Sequence, residues 1–108
     1  MRIWYRVRDL DTARGFYRDL LGFQETYLDE KERWATLDRG ATEIALTEGE
    51  PEEGGVATVD VDDVKAERER LEQARVEVGT VLELHGAMRL LDVFDPDGNR
   101  IQLTEELS

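Results

Sequence analysis

Few side chains in this sequence are equipped to make or break bonds. His85 is the only histidine, and it precedes Gly86 at a predicted hairpin, a position that suits a solvated turn residue. Cysteine is absent, so there is no thiolate nucleophile, no thiolate metal ligand and no disulfide framework. A Ser-His-Asp set needs a nucleophile positioned beside its histidine, and the sequence shows none. Glu43, Asp60 and Asp92 fall in strand-like stretches and would serve as general bases only if burial shifted their pKa values. Gly54-Gly55 opens a strand rather than a helix, so it makes no phosphate loop. No residue is assigned a catalytic role.

What stands out instead is an alternation at the start of the chain. Arg2, Trp4 and Arg6 share one face of a predicted strand over 2–8, and Ile3, Tyr5 and Val7 share the other. The elements that position them follow the same logic. Asp11 is the expected N-cap of a helix. Ala13, Phe16, Tyr17, Leu20 and Leu21 then recur at helical spacing and form one apolar stripe. Gly22 supplies the left-handed residue that ends it. Gly15, inside the helix, is expected to allow a close approach to a sheet. Strands are predicted over 23–28, 33–37 and 43–47. A Glu- and Gly-rich linker follows, at about 49–54.

The second half repeats this order. A strand over 56–61 leads to a helix capped by Asp62 or Asp63 and running to about Arg75. Strands over 81–84, 88–93 and 100–104 complete it. Ile44-Ala45-Leu46-Thr47-Glu48 and Ile101-Gln102-Leu103-Thr104-Glu105 end the two halves, with Asp38 and Asp95 at the same offset before each. Asp95-Pro96-Asp97-Gly98-Asn99 is a tight turn, with proline setting φ and glycine free to take positive φ. Two copies are too few for a solenoid. The expected fold is therefore α+β: two tandem βαβββ modules, about 1–48 and 55–107, in one domain.

Bulk composition narrows the partners. The 108 residues carry a net charge of −12, from 26 acidic and 14 basic residues. The basic residues are scattered, so nucleic acid is not an expected partner. No run approaches the roughly 20 apolar residues of a membrane span, no signal-peptide pattern opens the sequence, and a cytoplasmic location is expected. The acidity reads first as a solvated surface and second as a lure for a cationic ligand.

Two motifs carry a family resemblance. They are Val7-Arg8-Asp9-Leu10-Asp11 with Phe16-Tyr17-Arg18-Asp19-Leu20-Leu21-Gly22-Phe23, and Phe94-Asp95-Pro96-Asp97-Gly98-Asn99-Arg100-Ile101-Gln102-Leu103. With them the chain resembles the vicinal oxygen chelate superfamily, which includes glyoxalase I, extradiol dioxygenases, and fosfomycin- and bleomycin-resistance proteins. The resemblance implies strands curled into one mixed sheet, a cup that holds ligand, with the helices outside. It also implies metal-ligand positions on the first and last strand of each module. These fall on Arg2, Ala45, Val56 and Gln102. Guanidinium stays protonated, Ala and Val have no donor, and Gln offers one neutral oxygen, so no metal and no cofactor is expected.

The expected cup lining is Arg2, Trp4, Arg6, Trp34, Glu43, Ala45, Val56, Thr58, Gln102 and Thr104. Trp4 reads equally as a stacking platform and as sheet packing or a dimer contact. Arg2 and Arg6 are expected to pair with Glu43, Asp60 or Asp92, and Gln102 either satisfies Arg2 or touches ligand. The leading expectation is a metal-free small-molecule-binding protein of the glyoxalase/bleomycin-resistance type, present as a homodimer. The alternatives are a divalent-metal-dependent lyase or dioxygenase of that superfamily, or a non-catalytic dimeric interaction module whose cup is filled by Trp4 and Trp34.

Overall fold

The computed structural model describes residues 2–52 and 54–107, so position 53 of the expected linker lies outside the described residues. The first module runs β1 (Ile3–Val7), α1 (Leu10–Gly15), a π-helical turn (Phe16–Leu20), β2 (Gln24–Asp29), β3 (Trp34–Arg39) and β4 (Thr42–Glu48). The second runs β5 (Ala57–Asp60), α2 (Val64–Gln73), β6 (Glu77–Val78), β7 (Leu82–Leu84), β8 (Met88–Phe94) and β9 (Arg100–Glu106). The α+β class and the module repeat are as expected, with β6 as an additional two-residue strand.

The strands form two mixed sheets, ordered β1-β4-β3-β2 and β5-β9-β8-β6, with β7 also paired to β8. The resemblance implied a single curled sheet; here each module closes its own ladder. In each module the first strand pairs in parallel with the last, Trp4 with Ala45 and Thr58 with Gln102. The remaining pairings are antiparallel.

Alternation then decides what is buried. Tyr5 and Val7 of β1, Ile44 and Leu46 of β4, Val59 of β5, and Ile101 and Leu103 of β9 join the core. Leu10, Ala13, Phe16 and Tyr17 come from the first helix, and Val64 and Leu71 from the second. The predicted helical stripe is thus the buried one. Each fully buried Leu or Ile contributes about 1.5–3 kcal/mol relative to exposure.

The helix starts differ from expectation in one respect. Asp9, not Asp11, caps α1, its carboxylate accepting from the amides of Asp11 and Thr12. Asp9 has extended backbone and precedes the first helical residue, as a cap must; Asp11 is already inside the helix and pairs with Arg14 and Arg33 instead. Asp63 caps α2. Gly22 has φ of 72° and Gly98 of 85°, as their turns require. Gly15 is not a close-approach site: a methyl group there would meet only the Asp19 carboxylate, at 3.9 Å.

Candidate functional site

The face of each sheet turned away from its helix carries the predicted lining. In the first module, pairing places Trp4 beside Ala45, Ala45 beside Thr36, and Thr36 beside Tyr27, in one row across four strands. Arg6, Thr47 and Trp34 form the next row. Large rings stand at both ends of the first row and small residues lie between them. Trp34 fills that gap, with its ring centroid 5.9 Å from Trp4 and 4.9 Å from Tyr27. Beneath the rings Ala45 and Thr36 are buried, and the Thr36 and Thr26 hydroxyls share a hydrogen bond of 2.6 Å. Trp4 and Tyr27 themselves remain 50% and 51% exposed.

The arginines flanking this strip are neutralised. Arg2 binds Glu43, as expected. Arg6 pairs with Glu52 at 3.0 Å, rather than with the predicted Glu43, Asp60 or Asp92. Position 6 lies toward the end of β1 next to the chain that leaves β4, so a linker carboxylate is closer than one from the second sheet.

In the second module Thr58 and Asp60 lie beside Gln102 and Thr104. The Thr104 hydroxyl donates to Asp60 at 2.8 Å. Gln102 donates to Asp92 at 3.2 Å, so it satisfies a carboxylate, not Arg2. The ten expected lining residues therefore fall into two groups: Arg2, Trp4, Arg6, Trp34, Glu43 and Ala45 on the first sheet, and Thr58, Gln102 and Thr104 on the second. Val56 stands apart. It precedes β5 and lines a recess of about 530 Å³ at the module junction, with Tyr5, Glu52, Asp97 and Arg100. His85 is exposed, with φ of 53°, in the turn before β8.

The donor set implied by the family does not fit a metal. Arg2, Ala45, Val56 and Gln102 offer one neutral oxygen among them. Among the described residues, no group of three or more His, Cys, Asp or Glu side chains is arranged to hold an ion.

Sequence reasoning missed a buried polar centre between the modules. The Tyr17 hydroxyl donates to Asp95 Oδ2 at 2.8 Å. Asn99 Nδ2 donates to the same oxygen at 2.9 Å and to the Arg6 carbonyl at 2.9 Å. The amides of Asp97 and Asn99 donate to Asp95 Oδ1. Nearby, the Tyr5 hydroxyl donates to the Arg100 carbonyl and accepts from the Ala57 amide. Burial pushes the Asp95 carboxyl above its ordinary value, opposed by its donors from Asn99, Tyr17 and Asp97. Burial also raises both phenols, Tyr5 to about 12 and Tyr17 well above the usual tyrosine value. The signal was present in the sequence as the Phe-Tyr and Asp-Pro-Asp-Gly-Asn motifs, but nothing local links residues so far apart in the chain.

Residues 2–103 match the family model of the Glyoxalase/Bleomycin resistance protein/Dioxygenase superfamily. No curated protein matches the chain. Among solved structures, a member of that superfamily from Sphaerobacter thermophilus is 25% identical, with 97% of this chain and 94% of that one covered and a TM-score of 0.81. The genomically encoded fosfomycin resistance protein from Listeria monocytogenes is 18% identical, with 98% and 90% covered and a TM-score of 0.83. The bleomycin resistance determinant encoded on transposon Tn5 is 17% identical, with 98% and 96% covered and a TM-score of 0.77. The last two likenesses are of fold.

Proposed function

The chain belongs to the Glyoxalase/Bleomycin resistance protein/Dioxygenase superfamily, and from that premise we propose that it is a metal-free small-molecule-binding protein holding its ligand on the open sheet face. The observation that carries this reading is a contrast. Positions that would chelate a metal hold Arg2, Ala45, Val56 and Gln102, while three aromatic rings stand on the first-sheet face that carries Arg2 and Ala45, two of them half exposed. Ligand sites are mostly apolar with a few placed polar groups, and Thr47, Glu43 and Arg6 supply those here. Members of the superfamily host many chemistries on this fold, so the site and not the fold supports the choice.

The test joins two measurements on protein purified without a histidine tag. A thermal-shift screen of small molecules is expected to find stabilising compounds, and calorimetric titration with Mn, Ni, Zn and Fe to find no tight binding. Stoichiometric tight metal would replace this reading with the metal-dependent lyase or dioxygenase alternative.

We also propose a homodimer. Trp4, Tyr27, Leu82 and Leu84 are the exposed large apolar residues among those described. The register of β7 with β8 puts Leu82 beside Leu90 and Leu84 beside Met88, on the same face as Gln102 and Thr104. Each module thus has an apolar patch on its open face that a second copy would cover. The burial of Ala45 and Thr36 beneath the rings also favours a second reading, a non-catalytic dimeric module with a filled face. A ligand screen without hits, on a protein that is dimeric in solution, would select that reading.

A further inference from the structure

We propose that the recess between the linker and the β8–β9 turn binds a small organic cation bearing a primary ammonium group. This site is separate from the open sheet faces and goes beyond the reading above. The recess measures about 530 Å³, within the range that holds small molecules. Asn99 and Asp97 both line it, and each has an acceptor oxygen without a donor among the described residues. Asn99 is only 7% exposed. Its Nδ2 faces two acceptors, Asp95 Oδ2 and the Arg6 carbonyl, which fixes the orientation of the amide and turns Oδ1 away from both. The Asp97 side chain is 11% exposed. Arg8 uses only its Oδ1, through the backbone amide at 3.3 Å and the guanidinium at 3.2 Å, so Oδ2 stays free. Leaving a largely buried acceptor without a donor is costly, and an N–H of a ligand would relieve that cost.

The walls set the charge of the ligand. Glu52 adds a second carboxylate, from the linker. Arg6, Arg8 and Arg100 stand around the recess, but each already faces a carboxylate: Glu52 at 3.0 Å, Asp97 at 3.2 Å and Asp92 at 3.5 Å. The Tyr5 hydroxyl donates to the Arg100 carbonyl, so it has no proton left for an anion. An anion would have to break an ion pair. A cation breaks none, because it takes the oxygens that the arginines leave over, and the net charge of −12 favours its approach. An ammonium group radiates three N–H donors from one point, which suits acceptors on separate segments better than the planar fork of a guanidinium.

Putrescine serves as the probe, titrated by calorimetry at constant ionic strength. Tetramethylammonium has the charge without N–H donors, butane-1,4-diol the length without the charge, and succinate the opposite charge. Putrescine is expected to bind saturably and to shift the amide NMR signals of Gly54, Gly55 and Gly98, which line the recess. The other compounds are expected to bind at least about tenfold more weakly. Asp97→Asn puts an N–H where the free oxygen stands and is expected to weaken putrescine about tenfold. Glu52→Gln, in the exposed linker, is expected to weaken it about threefold with an unchanged circular dichroism spectrum. Glu30→Gln removes the same charge from the exposed β2–β3 turn and should leave binding as it is. Equal binding of tetramethylammonium, or an equal loss in Glu30→Gln, would reduce the effect to general charge attraction and overturn the proposal. So would unchanged affinity in both recess variants, or shifts confined to Thr47 and Gln102 on the open faces. Either failure would leave the open-face reading intact, because that reading is tested by its own ligand screen.

Discussion

At the scale of single residues, Asp95 is the most heavily used acceptor side chain among the described residues. It accepts from four donors in a buried site, and removing it would strand them, except that Asn99 Nδ2 keeps the Arg6 carbonyl as a second acceptor. Stranded buried donors cost about 1–3 kcal/mol apiece before relaxation. Asp95→Ala is therefore expected to lose about 3 kcal/mol in urea denaturation, and Tyr17→Phe, which removes one donor, about 1 kcal/mol. A loss below 0.5 kcal/mol for Asp95→Ala, about the level of a surface substitution, would show that the network carries no stability. Tyr5 gives a pH signature. Burial pushes its phenol in the folded state up to about 12, above the ordinary tyrosine value of 10.0. The phenol is protonated in both states below pH 10, and its contribution is lost as pH rises toward 12, because only the unfolded chain ionises freely. Tyr5→Phe should flatten the alkaline fall in melting temperature over that window, read by circular dichroism; an unaltered slope would place the cause elsewhere.

At the scale of elements, the repeated Thr-Glu at the end of each module has a clear purpose. Glu48 accepts from the amide of Leu10, the first residue of α1. Glu105 accepts from the amide of Val64, the first residue of α2. Each last strand thus satisfies one of the free amides at the start of its own module's helix and places negative charge at the positive end of the dipole. Glu105→Ala is expected to lower stability by about 1 kcal/mol. For Glu48 the effect is one of pH. The Leu10 amide and then Arg33 hold its carboxyl below the ordinary value of 4.5. The stabilisation is present above that value and lost as pH falls through the lowered folded pKa. Glu48→Gln should lessen the acid-induced drop in melting temperature, and an identical drop would show that the carboxylate does not contribute. The repeat was plain in the sequence, but its role needed the strand end and the helix start to be seen side by side. The π-helical turn was not legible at all. It includes Tyr17 and closes with the Leu21 amide bonding the Phe16 carbonyl, a one-residue widening that the apolar spacing does not distinguish from ordinary helix.

At the scale of the whole molecule, the modules brace one another reciprocally. The first helix reaches the β8–β9 turn through Tyr17 and Asp95. The second helix reaches the β3–β4 turn through Glu67 and Arg39, at 2.6 Å, and Arg39 also donates to the Leu21 carbonyl. The two helices thus grip opposite turns, as a pseudo-two-fold arrangement requires. Dimerisation is the prediction at this scale. Light scattering after size exclusion is expected to give twice the chain mass at micromolar concentration, and Leu82→Glu with Leu84→Glu to give the single chain mass. A wild-type monomer would remove the dimer.

Hydrophobic alternation and turn chemistry alone determined a great deal: the α+β class, the two modules and the buried helical stripe. These depend on the period of each element and on the residues at its turns, which are local properties. Only the tertiary structure decided that Trp34 bridges Trp4 and Tyr27, that Arg6 pairs with Glu52, that Val56 leaves the lining for the junction recess, and that Tyr17 meets Asp95. Those outcomes depend on strand register and on how two separate sheets pack through their helices and turns. Residues 17 and 95 have no local reason to meet; packing of one module on the other brings them together.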